Sequence, residues 1–100
     1  MKKKSSKLAK LERNRFSIIT DNLDYCIICG KPKQDLNEIF AGRNRQNSMK
    51  YGLVIPMCRN CHIKYTNDGI MQFYWKKIGQ EKFEEIYDED FLEIFKRNYL

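Results

Sequence analysis

One hundred residues with 42% apolar content and thirteen aromatic side chains make one domain, too short for two independent cores and too apolar to be disordered throughout. The formal charge of +6 is concentrated in two stretches. Residues 1–15 carry seven Lys and Arg against Glu12 alone, residues 31–66 carry seven against Asp35 and Glu38, and residues 67–100 are net acidic, so one side faces a polyanion and the other is solvated. No run approaches the roughly 18 apolar residues that a membrane span needs. The basic start resembles the charged end of a signal peptide, but the apolar stretch that should follow is absent, Phe16–Ile19 being only four residues long. The expectation is a cytoplasmic, intracellular protein with no membrane partner, in a reducing compartment.

In chain order, residues 1–7 are a Lys/Ser tract expected as a mobile arm, and Lys7 to Ile19 reads as a helix with Leu8, Leu11, Arg15 and Ile18 on one stripe. Residues 1–20 therefore form a basic arm and helix, and residues 21–100 the main body. Tyr25 to Pro32 is a strand end folding into a tight turn, with Gly30 supplying the left-handed backbone after the second cysteine. Leu36 to Phe40 reads as a short strand, Ala41 to Gly52 as a polar loop, and Leu53 to Met57 as a second strand that Pro56 places on an edge. A helix is expected from about Cys58 to the break at Asn67-Asp68-Gly69. Asp68 caps the next helix, which Gly79 should end. Glu81–Tyr87 and Asp90–Phe95 follow as two further short helices, the second with Asp90 and Glu93 at capping-box spacing. Phe73, Phe83, Ile86, Phe91, Ile94 and Phe95 read as core.

Cys26 and Cys29 form one C-x-x-C pair and Cys58 and Cys61 another, 28 residues apart. Two such pairs in a short chain predict a structural zinc ion, because each places two sulfurs on one tight turn or first helical turn. The helix start also favours thiolate charge at Cys58 and Cys61. A tetrathiolate zinc site carries a net charge of −2, leaving the metallated protein nearer +4. Three other readings compete. Two disulfides conflict with a reducing compartment, and a redox C-x-x-C needs no second pair. Haem attachment at Cys58-Arg59-Asn60-Cys61-His62 leaves Cys26 and Cys29 unexplained.

Three segments carry a resemblance: Cys26-Ile27-Ile28-Cys29-Gly30, Asn37-Glu38-Ile39-Phe40-Ala41-Gly42-Arg43-Asn44-Arg45, and Tyr51-Gly52-Leu53-Val54-Ile55-Pro56-Met57-Cys58-Arg59-Asn60-Cys61-His62, with a weaker match over residues 91–100. With these the chain, from about Asp24 to Leu100, resembles the zinc-containing HNH endonuclease-like proteins of phages and prophages. The resemblance implies an α+β fold: a small zinc-stabilised ββα-metal core, treble-clef and HNH-like, with flanking helices. It also implies a second, catalytic divalent ion (Mg²⁺ or another) beside the structural zinc. Carried onto this chain, His62 and Asn37 fall on the positions of the ion's ligands. Glu38 falls on that of the general base, where the family has histidine; His62 is the one histidine here. Asn44 and Asn47 lie near the family's middle Asn.

Two functions are expected from these residues. One is an HNH-type endonuclease hydrolysing phosphodiesters, with Asn37, Glu38 and His62 catalytic. The alternative is a non-catalytic, zinc-stabilised nucleic-acid-binding or adaptor module on the same fold. In either case the partner is nucleic acid, with DNA foremost, and Arg43, Arg45, Lys50, Arg59 and Lys64 contact phosphate. The plainer readings are that His62 caps or packs beside the metal turn, that Glu38 is a solvated strand charge, and that the loop arginines serve solubility. The set Phe73, Tyr74 and Trp75 reads as a base-stacking surface or, for Phe73 at least, as core.

Overall fold

The computed structural model describes residues 6–100, so the Lys-rich start of the expected arm lies outside them. The first helix, α1 (Ser6–Arg13), ends six residues earlier than its apolar stripe suggests. Beyond it the chain runs on irregularly and is stapled to the body, Ile18 N donating to Gly52 O at 2.8 Å. The Phe16 ring lies over the same glycine. A Cβ on Gly52 would sit 2.5 Å from Phe16 Cε2, and its φ of +76° disfavours any side chain.

Two four-residue strands, β1 (Asp35–Glu38) and β2 (Val54–Met57), form an antiparallel pair with Asp35 opposite Met57 and Glu38 opposite Val54. All of β2 is buried. Pro56, which cannot donate to a ladder, is tolerated because a two-stranded sheet has only edges. Its carbonyl still accepts from Ile27 N at 2.9 Å, which docks the first cysteine turn on the sheet.

The segment between the strands corrects the expectation of a polar loop. It holds a 3₁₀ turn (Gly42–Asn44) and α2 (Arg45–Tyr51), closed by left-handed Gly52. Polar composition hid an amphipathic helix that buries Ser48, Met49 and Tyr51. The Ser48 hydroxyl donates to Phe40 O at 2.7 Å and accepts from Phe40 N at 3.1 Å, satisfying a backbone that has left the sheet.

Helix α3 (Arg59–Thr66) starts at the expected point, with Cys58 as its N-cap. Asp68 caps α4 (Gly69–Ile86), its carboxylate accepting from the amides of Ile70 and Met71 at 3.0 Å each. Gly79 does not end this helix, which runs through the segment expected as a separate Glu81–Tyr87 helix. Gly79 instead admits the Phe40 ring, whose Cε2 lies 3.1 Å from where a Cβ would stand. Asp90 caps α5 (Phe91–Phe95), which Lys96 closes at φ +65°.

The core is an aromatic cluster closed by α4, α5 and the C-terminus. Phe91 stacks on Phe95 with centroids 4.5 Å apart, Phe40 meets Phe95 at 4.9 Å, and Phe83 meets Tyr51 at 5.1 Å. Each such pair adds about 0.5–1.5 kcal/mol beyond its buried area. Buried Gln80 pins the tail: its Oε1 accepts from Tyr99 N at 2.7 Å and its Nε2 donates to Asn98 Oδ1 at 2.9 Å. Ile86 and Phe73, both expected inside, are 53% and 48% exposed, Phe73 lying at the edge of the cluster with its ring centroid 6.2 Å from that of Tyr99. The result is a small α+β domain. Among the described residues no helix is long and apolar enough to cross a membrane.

Candidate metal centre and adjoining polar cavity

The first cysteine pair sits on a turn held by its own backbone. Cys26 N donates to Lys31 O at 2.7 Å, Gly30 N donates to Cys26 O at 2.9 Å, and Gly30 takes the expected left-handed conformation at φ +79°. The second pair opens α3. Cys58 Sγ accepts from Cys61 N at 3.5 Å, and Arg59 N is taken up by Gln34 Oε1 at 2.8 Å. The turn from the chain ahead of β1 and the helix following β2 meet on one side of the strand pair. Ligand atoms of Cys26, Cys29, Cys58 and Cys61 all lie within 4.8 Å of one another, with Cys29 and Cys58 sulfurs 3.6 Å apart.

Four sulfurs bound tetrahedrally at about 2.3 Å stand roughly 3.8 Å from each other, so this donor set fits a single tetrathiolate ion. Its electrostatics call for one. Burial opposes ionisation of Cys26, yet amide hydrogen bonds from Cys29, Cys58 and Ile28 outweigh it and bring that thiol down to about 6. The Cys61 amide lowers Cys58. Cys61 is pushed the other way, to about 12, by burial and then by the neighbouring sulfurs. Four thiolates crowd together here only with a cation between them. Among the described residues this is the one group of three or more His, Cys, Asp or Glu side chains gathered to hold an ion.

The residue after Cys61 turns to a different neighbourhood, as the roughly 100° step of a helix requires. His62 Nδ1 lies 3.1 Å from Asp35 Oδ2. The His62 hydrogen bond, with Arg59 contributing, holds the Asp35 carboxyl below its ordinary range. A carboxylate only accepts, so Nδ1 is the nitrogen that donates to Asp35, and in the neutral tautomer Nε2 is the one with a free lone pair. Asp35 was not singled out from sequence. The available signal was strand parity, since Asp35 and Asn37 are two apart and share a face of β1.

On the other side of His62, a cavity of about 260 Å³ is lined by Asn37, Glu38, His62, Tyr65, Gln72 and Lys76 among others. The structure thus brings the three expected catalytic residues around one space, in unequal states. Asn37 Nδ2 and the Tyr65 hydroxyl are buried next to one another, the Asn37 amide approaching the phenol oxygen without closing a full hydrogen bond. Burial pushes the Tyr65 phenol up, partly offset by the neighbouring Asn37 side chain, so the hydroxyl keeps its proton. Glu38 is engaged elsewhere. Its Oε1 accepts from Arg15 Nη2 at 2.8 Å and Arg45 Nε at 3.3 Å, and its side chain is only 13% exposed. Arg45 also pairs with Glu12 at 3.2 Å. A helix of the expected basic arm thereby reaches the strand's end.

Of the five expected phosphate contacts, Arg43, Lys50, Arg59 and Lys64 are exposed. Arg59 leans on Asp35 at 3.4 Å and Lys50 lies 5.2 Å from the Tyr51 ring centroid. Arg45 is the exception, drawn into the Glu12–Glu38 ion pairs. Asn44 and Asn47 face away from His62 to cap α5, donating to Phe95 O at 3.1 Å and Ile94 O at 3.4 Å. Comparisons with protein-family models, curated proteins and solved structures returned no match to this chain.

Proposed function

We propose that this chain is a zinc-stabilised nucleic-acid-processing protein of HNH endonuclease type, acting on DNA in the cytoplasm of a phage- or prophage-bearing cell. Zinc is the ion favoured for the four cysteines, since tetrahedral thiolate sets are its usual structural environment. The observation that carries the reading is the juxtaposition of His62, on the first turn of α3, with Asn37 and Glu38 at the end of β1, around one cavity beside the cysteine cluster. A second divalent ion in this cavity, distinct from the zinc, would when bound stabilise charge developing on the phosphate and the leaving oxygen. His62 Nε2 and Asn37 would hold it. Asp35 fixes the tautomer that leaves Nε2 free for this, a common arrangement for ligating histidines. Glu38 would take the proton from the attacking water, through the carboxylate oxygen that Arg15 and Arg45 do not occupy.

One observation favours the second reading, a non-catalytic binding module: Glu38 is already the shared acceptor of two arginines. A nicking assay on supercoiled plasmid with Mg²⁺ or Mn²⁺ separates the two. Metal-dependent cleavage that disappears in His62→Ala supports the enzyme. Salt-sensitive DNA binding without cleavage supports the module, and absence of both activities removes nucleic acid as the partner.

A further inference from the structure

We propose that the outer face of α4, with the tail that follows α5, binds an unpaired DNA strand, stacking bases on Phe73 and Tyr74 and holding phosphates on Lys76, Lys77 and Arg97. Such binding presupposes the nucleic-acid reading and specifies its substrate, without requiring hydrolysis. Phe40, Phe83, Phe91 and Phe95 are all at most 2% exposed, so the core accepts rings readily, yet Phe73 and Tyr74 stand outside it, Tyr74 at 57%. Lys77 lies one helical turn on from both rings and is exposed with them. Two more cations border the patch. Lys76 Nζ lies 5.7 Å and the Arg97 guanidinium 5.1 Å from the centroid of Tyr99, whose ring is 6.2 Å from that of Phe73. Among the described residues none of the three cations forms an ion pair with a carboxylate. Gly69–Gln80 and residues 96–100 contain no Asp or Glu at all.

Exposed rings beside unpaired cations select the partner. A second copy of this chain, docked about a two-fold axis, would set these cations against themselves, and like charges across an interface repel. An anionic membrane would attract the cations, but the exposed apolar side chains here span little more than one turn before Lys77 and then Glu81, short of the sustained apolar face of an interfacial helix. A polyanion that also carries flat apolar groups matches both features. A duplex keeps its base faces inside its own stack, so only unpaired bases can lie on these rings. Trp75 braces Tyr74, their centroids 5.3 Å apart and their planes at 83°, which limits the freedom the Tyr74 ring must give up on binding. Lys76 also lines the cavity that holds His62. The patch is thus continuous with the candidate site, and a strand leaving that cavity passes over Lys76 onto the rings.

The test is titration of the full-length, zinc-loaded protein with a short oligothymidylate, with an abasic strand of the same length and charge, and with the corresponding duplex. Binding is followed by the fluorescence of Trp75, the one tryptophan of the chain. Oligothymidylate should quench Trp75 and bind roughly tenfold tighter than the abasic strand. Tyr74→Leu and, separately, Phe73→Leu keep an apolar side chain but remove a ring; each should erase most of that preference while leaving abasic binding unchanged. Arg97→Gln should weaken both strands alike and lower the slope of log affinity against log salt by about 0.7. Equal affinity for the abasic strand, wild-type affinity in both ring variants, preference for the duplex, or no binding of any strand overturns the proposal. So does a response of Trp75 to phosphatidylserine vesicles with none to oligothymidylate, which assigns the patch to a membrane surface. Because none of these readouts involves cleavage, a protein that binds oligothymidylate through these rings but never nicks plasmid refutes only the endonuclease reading. Nicking that depends on His62, together with wild-type oligothymidylate affinity in both ring variants, refutes only the patch.

Discussion

Cys61 and His62 are adjacent in sequence and serve two regions with opposite requirements. On the Cys61 side, four sulfurs within 4.8 Å of one another accumulate negative charge and require a cation. On the His62 side, donors accumulate: the Asn37 amide leans on the Tyr65 hydroxyl, whose own proton is buried without an acceptor. The metal region is also tied down by backbone hydrogen bonds on both of its turns, whereas the cavity is walled by side chains from β1, α3 and α4. One helical step separates a site that holds the fold together from a site left incomplete by the fold. Incompleteness of that kind is where function is sought first, because each unsatisfied group lowers stability and gains its partner only on binding.

The largest way to break this contrast is to remove the cation. Structural zinc in small domains contributes an apparent binding energy of about 10–16 kcal/mol, more than the whole stability of a typical domain, about 5–15 kcal/mol. Strong chelator, or Cys61→Ser, should therefore abolish cooperative melting followed by circular dichroism. Acidification acts in the same direction, as protons compete for the thiolates and release the ion. By contrast, Asn37→Ala and Tyr65→Phe on the cavity side should leave melting nearly untouched.

Next in size is Ser48→Ala. It strips both the donor and the acceptor that Phe40 uses where the chain leaves β1, and should cost about 2–4 kcal/mol in urea unfolding. Gly52→Ala combines a left-handed backbone with a clash against Phe16 and should cost about 1–3 kcal/mol. It should also loosen the segment joining α1 to the body, visible as faster amide exchange at Ile18. Glu38→Gln is the smallest in stability, about 1–2 kcal/mol, and the most informative about the cavity. Leaving Glu12 as the one carboxylate paired with Arg15 and Arg45 should tighten DNA binding and steepen its salt dependence. If Glu38 is the general base, cleavage should disappear in the same variant while binding rises.

The two regions also differ in how much of them the sequence disclosed. The cysteine cluster was legible because C-x-x-C spacing encodes a local geometry, two sulfurs on one turn, that survives any tertiary context. The strands and the starts of α3 and α4 were legible for the same local reason: a cap such as Asp68 announces a helix beside itself. What stayed hidden depends on partners distant in sequence. Glu38 reads as an available base until Arg15, 23 residues earlier, folds onto it. Gly79 reads as a helix terminator until Phe40 is seen to fill the space its missing Cβ leaves. Helix α2 was obscured by its polar composition, since only three of its seven residues turn inward. Asp35 and Tyr65 carried weak signals, parity along β1 and one turn along α3, that mean little until His62 is placed between them.

The account rests on the two cysteine pairs sharing one ion that leaves His62 to the cavity. X-ray absorption at the zinc edge of the purified protein tests this directly. The account predicts one zinc per chain surrounded by four sulfurs at about 2.3 Å with no imidazole scattering. A three-sulfur, one-nitrogen shell, with His62 displacing exposed Cys29, or a protein that stays folded with no metal, would contradict it.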